Sequence, residues 1–259
     1  LAGRVLATAP LWPGAQLVAM GQHIVADSRQ GQANGAFAMM RPPEGLQTLA
    51  LHQTVWLGRQ AVVGGAVGRF EYGGWGAEAE AIGFVAGRDD VVRVRGRALL
   101  KNDQLPPGAN LAGAASYRWV GSPNLWAEVG LQRYTDGSYG PTISASRWWG
   151  DMETSLFFRR GDWRNYVGIE FSFPLTPRSA RSMGNVQVQG HPSWKQGVRT
   201  LVGNNINYVE PLKVRDLELV WDLNTQALNA GRLGPEYVMS QLPRMREAYF
   251  LFADVPAAR

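Results

Sequence analysis

Residues 124–173, NLWAEVGLQRYTDGSYGPTISASRWWGDMETSLFFRRGDWRNYVGIEFSF, decide the fold. Leu125, Ala127, Val129 and Leu131 alternate with Glu128, Gly130 and Gln132. Side chains of a strand point to opposite faces in turn, so this period of two predicts a strand with one apolar and one polar face. Thr135-Asp136-Gly137-Ser138 then supplies turn chemistry, with Gly137 free to take a positive φ. Ile143 and Ala145 alternate with Thr142, Ser144 and Ser146, ending in Trp148-Trp149, and Gly150-Asp151 turns the chain. Met152, Thr154, Leu156 and Phe158 face away from Glu153, Ser155 and Arg159. Gly161-Asp162 leads into Val167, Ile169, Phe171 and Phe173, opposite Gly168, Glu170 and Ser172. Four hairpin-linked strands in succession predict an antiparallel meander.

The rhythm extends upstream. Leu49, Leu51 and Val55 alternate with Thr48, His52 and Thr54, and a glycine-rich strand over 61–72 ends in Arg69-Phe70-Glu71-Tyr72 before Gly73-Gly74. Ala77, Ala79 and Ala81 oppose Glu78 and Glu80. After Arg88-Asp89-Asp90, Val92, Val94, Ala98 and Leu100 oppose Arg93, Arg95 and Arg97. With residues 15–27 included, about ten strands are expected over 1–175, each near the 9–11 residues a tilted membrane strand requires. Composition agrees: 31 glycines in 259 residues disfavour helical bundles, where each interior glycine costs up to about 1 kcal/mol. A 45% hydrophobic share excludes a disordered chain.

Beyond residue 176 the alternation fades, with Pro177, Pro192 and Pro211 interrupting it. Gly234-Pro235 opens a helical run Glu236–Leu242, and Arg244–Phe252 reads as a second short helix. Residues 176–259 are therefore expected to form a mixed, partly helical soluble extension on the periplasmic side.

Alternation alone does not separate a membrane barrel from a soluble sandwich, because a half-buried soluble strand has the same pattern. Three features favour the barrel. Trp126, Tyr134, Tyr139, Trp148, Trp149 and Trp163, with Trp75, Trp119 and Tyr166, cluster at segment ends, as membrane-interface aromatics do. The polar face is charged rather than merely polar, with Glu78 and Glu80 set across a hairpin from Arg93, Arg95 and Arg97. Very short turns alternate loosely with longer connections. The fold expected is all-β, an antiparallel transmembrane barrel meander, with Glu78, Glu80, Arg93, Arg95, Arg97, Glu128, Gln132 and Glu170 facing the lumen. A spanning sheet must close, since an open edge has no partners in lipid.

Gln132-Arg133-Tyr134-Thr135-Asp136-Gly137-Ser138-Tyr139-Gly140, followed by Arg147-Trp148-Trp149-Gly150-Asp151, resembles the YjbH family of outer-membrane exopolysaccharide proteins. So does Gly168-Ile169-Glu170-Phe171-Ser172-Phe173-Pro174-Leu175-Thr176-Pro177-Arg178. Further along, Trp194, Gly197-Val198-Arg199-Thr200, Asn204-Asn205 and Leu242-Pro243-Arg244-Met245-Arg246-Glu247-Ala248-Tyr249 are similar, and Gly68-Arg69-Phe70 with Gly76 and Glu78 fits more loosely. Members of that family are longer, so the chain is expected to be a C-terminal portion. The resemblance implies a barrel in the outer membrane of a Gram-negative bacterium that supports secretion or assembly of exopolysaccharide or capsule. Its implied partners are outer-membrane lipid, exopolysaccharide and other secretion proteins, with no catalytic residues and no cofactor. The chain ends at Arg259 rather than on an aromatic strand, so the Phe171/Phe173 strand is expected to be the effective end of the barrel.

Other chemistry finds little footing. The net charge of +5 is spread along strands, not gathered into the patch a nucleic acid needs. The absence of cysteine removes disulfides, thiolate metal sites and thiol nucleophiles. His23, His52 and His191 lack metal-ligand spacing, and Gly-x-Ser-x-Gly does not occur. A barrel hydrolase would have to use His23 or His52, and a glycosidase dyad would fall on Glu78 and Glu80, roughly 7 Å apart along one strand face. The readings that compete with a secretion barrel are a soluble carbohydrate-binding β-domain using tryptophan platforms and, less well supported, that hydrolase.

Overall fold

The computed structural model describes residues 2–26, 44–70, 74–100, 108, 110–122, 124–149, 152–174, 181–190, 193–203, 214, 216–219, 222–223, 242–243 and 245–250. Fourteen strands form one antiparallel sheet. They are β1 (Ala2–Trp12), β2 (Ala15–Ile24), β3 (Gly45–Leu57), β4 (Ala61–Arg69), β5 (Trp75–Phe84), β6 (Val91–Leu99), β7 (Leu111–Ser122), β8 (Leu125–Arg133), β9 (Tyr139–Trp149), β10 (Met152–Gly161), β11 (Arg164–Pro174), β12 (Arg181–Met183), β13 (Val186–Gly190) and β14 (Ser193–Val202). From β1 to β11 each strand pairs with the next, and the full order is β12-β13-β1 through β11-β14.

The meander over 124–173 is thus present as β8 to β11, and Gly137 takes a φ of +83° in the turn between β8 and β9. The strand count is a correction, however. Among the described residues up to 174 there are eleven strands, because Ala2–Trp12 pairs along its length with β2. Residues 181–202 add three more, so the sheet does not end at residue 175, and β11 is not its last strand. Residues 245–250 are helical, whereas the turn at Gly150-Asp151 and most of the helix expected over Glu236–Leu242 lie outside the described residues.

The late strands add to both ends of the meander. Gly190 of β13 pairs with Val5 of β1, and Ser193 of β14 pairs with Pro174 of β11. Ten antiparallel steps separate β1 from β11, so the two run in the same sense. β13 and β14, antiparallel to them, also share one sense and follow each other with two residues between.

The two faces of the sheet differ as the alternation requires. Val92, Val94 and Ala98 of β6 are exposed while Arg93 and Arg97 between them are buried. Val67, Val129, Leu131, Ile143, Leu156 and Val198 continue the exposed apolar rows, with Val94 51% and Val129 53% exposed. These aliphatic rows are not packed between two stacked sheets. The connections are unequal too. From strand bounds, one end carries links of 2, 3, 6, 2 and 2 residues, and the other carries links of 20, 5, 11, 5 and 2.

Candidate functional site

The charged face is built by neighbouring strands whose alternation is in phase. β5 and β6 set Glu78 opposite Arg97 and Glu80 opposite Arg95. The Arg97 Nη1 lies 3.4 Å from the Glu78 Oε1, and the Arg93 Nε donates to the Glu80 Oε1. On β7 and β8, Arg118 donates to the Glu128 Oε2 through Nε at 3.0 Å and Nη2 at 2.8 Å, while the Ser116 hydroxyl donates to the Oε1 at 2.6 Å. Gln132 is buried on the same face, and Glu170 of β11 meets Lys195 of β14 at 3.8 Å. Glu78, Glu80, Arg93, Arg97 and Gln132 are buried, and Arg95, Glu128 and Glu170 are half-buried in the same strand phase. A buried charge persists only when paired and hydrogen-bonded, and these pairs meet that condition largely within the wall.

A segment beyond the sheet completes the pairing. Val214, Asp216, Asp222 and Leu223 lie against the charged face, which is hereafter the inner face. At one end the Val214 N–H donates to the Asp136 Oδ2 at 2.8 Å, and Arg199 donates to the Val214 carbonyl at 3.2 Å. Val214 packs with Tyr134, Tyr166 and Leu201. Asp216 then pairs with Arg95 of β6, at 3.9 Å, and with Arg159 of β10. Asp222 receives the Arg93 Nη2 at 2.7 Å, and the Leu223 N–H donates to the Glu80 Oε2 at 2.7 Å. The Leu223 side chain sits in a cluster with Val62, Ile82 and Val91. Contact is close at both ends: a Cβ on Gly161 would meet the Val214 Cγ2 at 2.8 Å, and one on Gly64 would meet the Leu223 Cδ2 at 2.9 Å. The segment, a strap across the inner face, runs from the long-loop end beside Asp136 to the short-turn end. There an open cleft of 580 Å³ lies between Pro10–Gln16, Thr54, Trp56 and Leu223.

Three of the six aromatics expected at a membrane boundary are placed differently. Trp126 and Trp148 lie on the inner face, edge to face at 5.8 Å, with the Arg118 guanidinium 4.9 Å from the Trp126 ring centre. Tyr134 is fully buried under Val214. Their parity explains this: Trp126 is two residues from Glu128, Tyr134 two from Gln132, and Trp148 two from Ser146, so each shares the polar phase. Tyr139, Trp149 and Trp163 are exposed. So are Trp12, Trp119, Phe173 and Trp194, which with Trp149 gather at the short-turn end, while Trp75, Tyr139 and Trp163 gather at the other.

Two loop groups have shifted ionisation. Burial, with the Asp216 charge in support, pushes the Tyr134 hydroxyl well above its ordinary range. Asp90, before β6, is held below the usual carboxylate range, first by the Tyr117 hydroxyl donating at 2.6 Å and then by the Val120 N–H at 2.9 Å.

The enzyme candidates find these surroundings. Glu78 and Glu80 are each engaged by an arginine. His52 is buried with its Nδ1 3.5 Å from the Thr54 hydroxyl, and His23 is exposed, 3.1 Å from Glu44. Among the described residues no group of three or more His, Cys, Asp and Glu converges as a metal site. Asp216, Asp222 and Leu223, which complete the inner face, were not singled out by sequence. The acidic-apolar run Asp216-Leu217-Glu218-Leu219 is visible, but nothing in it names the wall that receives it. No protein-family model, no curated protein and no solved structure matches this chain.

Proposed function

We propose that the chain is a closed outer-membrane β-barrel, non-enzymatic, that supports secretion or assembly of an exopolysaccharide or capsule. The observation that carries the barrel is the inversion of faces on β6, with Val92 and Val94 exposed and Arg93 and Arg97 buried. A water-soluble protein rarely exposes contiguous apolar patches beyond a few hundred Å². Here such rows recur on strand after strand, ending in exposed aromatics at both ends, and lipid is the solvent that suits them.

Closure is supported by chain reach. Ten strand spacings of about 4.8 Å would hold β1 and β11 of a flat sheet roughly 48 Å apart. Gly190 and Ser193, bonded to those two strands, are three residues apart in sequence and so separated by no more than about 11 Å. The sheet must therefore curl, and the run from β13 into β14 spans the seam. Asp216 supports the same curvature by meeting Arg95 on β6 and Arg159 on β10.

The polysaccharide rests on the resemblance of the sequence to YjbH proteins and on the chemistry of the inner face. Arginines, carboxylates and the Trp126/Trp148 pair offer hydrogen bonds and apolar ring faces to sugars. The test is extraction and gel mobility. The full chain is expected to leave membranes only in detergent and to migrate differently in denaturing gels before and after boiling. A chain that dissolves in buffer and shows one mobility would overturn the barrel and favour a soluble carbohydrate-binding domain.

A further inference from the structure

Five arginines of the inner face fall into two groups by the carboxylate each meets. Arg97 and Arg118 are paired across adjacent strands, with Glu78 and Glu128. Arg95 and Arg159 instead reach Asp216 on the strap, and Arg93 divides itself between Glu80 of the wall and Asp222 of the strap. These three guanidinium groups lie on β6 and β10, with carboxylates delivered by Asp216 and Asp222 from outside the fourteen described strands. Among the described residues the wall carries Arg93, Arg95, Arg97, Arg118, Arg159, Lys195 and Arg199 beside Glu78, Glu80, Glu128, Glu153 and Glu170, more cations than anions. Asp216 and Asp222 bring two carboxylates to it.

We propose that Arg93, Arg95 and Arg159 form a carboxylate-binding row for an acidic polymer, and that Asp216 and Asp222 occupy this row as an internal substitute until the polymer displaces the strap. The inference rests on the barrel reading and names the substrate class of its lumen. Guanidinium groups bind planar carboxylates in the same way whether these belong to aspartate or to a uronic acid. A polymer with a carboxylate on each sugar competes for several arginines at once, so its attachment at one site raises its effective concentration at the next. The strap is held by ions along its middle and by apolar contacts at Val214 and Leu223, so it loosens from the arginines without leaving its end anchors. Arg97 and Arg118, paired with Glu78 and Glu128 of the wall, are outside the row.

The chain has no cysteine, so Leu217→Cys gives a single reporter at a position that is fully buried on the strap. The full-length protein carrying it, in detergent micelles, is exposed to a water-soluble maleimide. Polygalacturonate is expected to raise the labelling rate at least tenfold, and dextran of equal length to leave it unchanged. Asp216→Asn with Asp222→Asn is expected to raise the rate by a similar factor with no polymer present. Labelling that polygalacturonate does not accelerate, or that dextran accelerates equally, overturns the proposal. Leu219→Cys serves as the reporter if Leu217→Cys does not fold. Boiled and unboiled gel mobility is read on the same samples. Heat-modifiable protein with an unresponsive strap refutes this inference alone, whereas protein without heat-modifiability refutes the barrel reading and the inference with it.

Discussion

The backbone N–H of Leu223 donates to the Oε2 of Glu80 at 2.7 Å, across 143 residues of sequence. The other oxygen of that carboxylate accepts from Arg93, which also holds Asp222. One buried side chain on β5 therefore satisfies both a wall arginine and the end of the strap.

Glu80→Ala should destabilise the folded protein by about 3 kcal/mol, the usual scale for removing one partner of a buried ion pair. Glu80→Gln, which keeps an acceptor for the Leu223 N–H, should lose less. Urea unfolding in micelles, followed by tryptophan fluorescence, gives both values; equal losses would show that the amide bond to the strap contributes nothing.

Val94→Arg and Val129→Arg place a charge in mid-strand on the exposed face. In lipid each should cost about 2–4 kcal/mol, as arginine does at the middle of a bilayer. In a water-soluble protein the same exposed substitutions would stay within about 0.5 kcal/mol. Unfolding in lipid vesicles measures the difference, and a negligible cost would remove the lipid-facing assignment.

Trp163 has a φ of +58° beside Asp162 at +48°, in the two-residue turn that pairs Gly161 with Arg164, and its side chain is 93% exposed. Positive φ at both central positions suits the twist of a hairpin but costs a large side chain roughly 1 kcal/mol or more. Trp163→Gly should therefore gain about 1 kcal/mol in detergent. In vesicles the gain should vanish, because the ring gives up its place among the headgroups. Identical gains in both media would assign the exposed ring no role at the boundary.

The depressed ionisation of Asp90 sets an acid limit. A carboxyl whose folded value lies below its unfolded one, about 3.9, contributes stability above that value and loses it as pH falls through the folded value. Protection of the Val120 amide from exchange should be flat from pH 7 to about 5 and fall below about 4. Asp90→Asn should remove this step. Protection that declines already near pH 6 would assign the dependence to another group.

Period two made β8 to β11 and the inward charges legible, because Glu128 and Gln132, or Arg93 and Arg95, share one phase along a strand. The misplacement of Trp126, Tyr134 and Trp148 came from weighing residue type over that phase; at a strand end a tryptophan faces whichever side its position dictates. β14 carries a readable alternation as well, with Trp194, Val198 and Val202 opposite Lys195, Gly197 and Arg199, but the prolines before it obscure its start. The strap was not legible. Its docking depends on arginines brought together only once the sheet has formed.

The run from β13 into β14 also dictates the order of assembly. Val5 must wait for Gly190 before one edge of β1 is covered, so β1 is made long before it is completed. Until then its hydrogen-bonding edge is a template for any other extended chain. A nascent chain halted before residue 186 would be a sticky, half-finished sheet, and this protein should lean heavily on holdase chaperones during biogenesis, more than one whose neighbouring strands all pair locally.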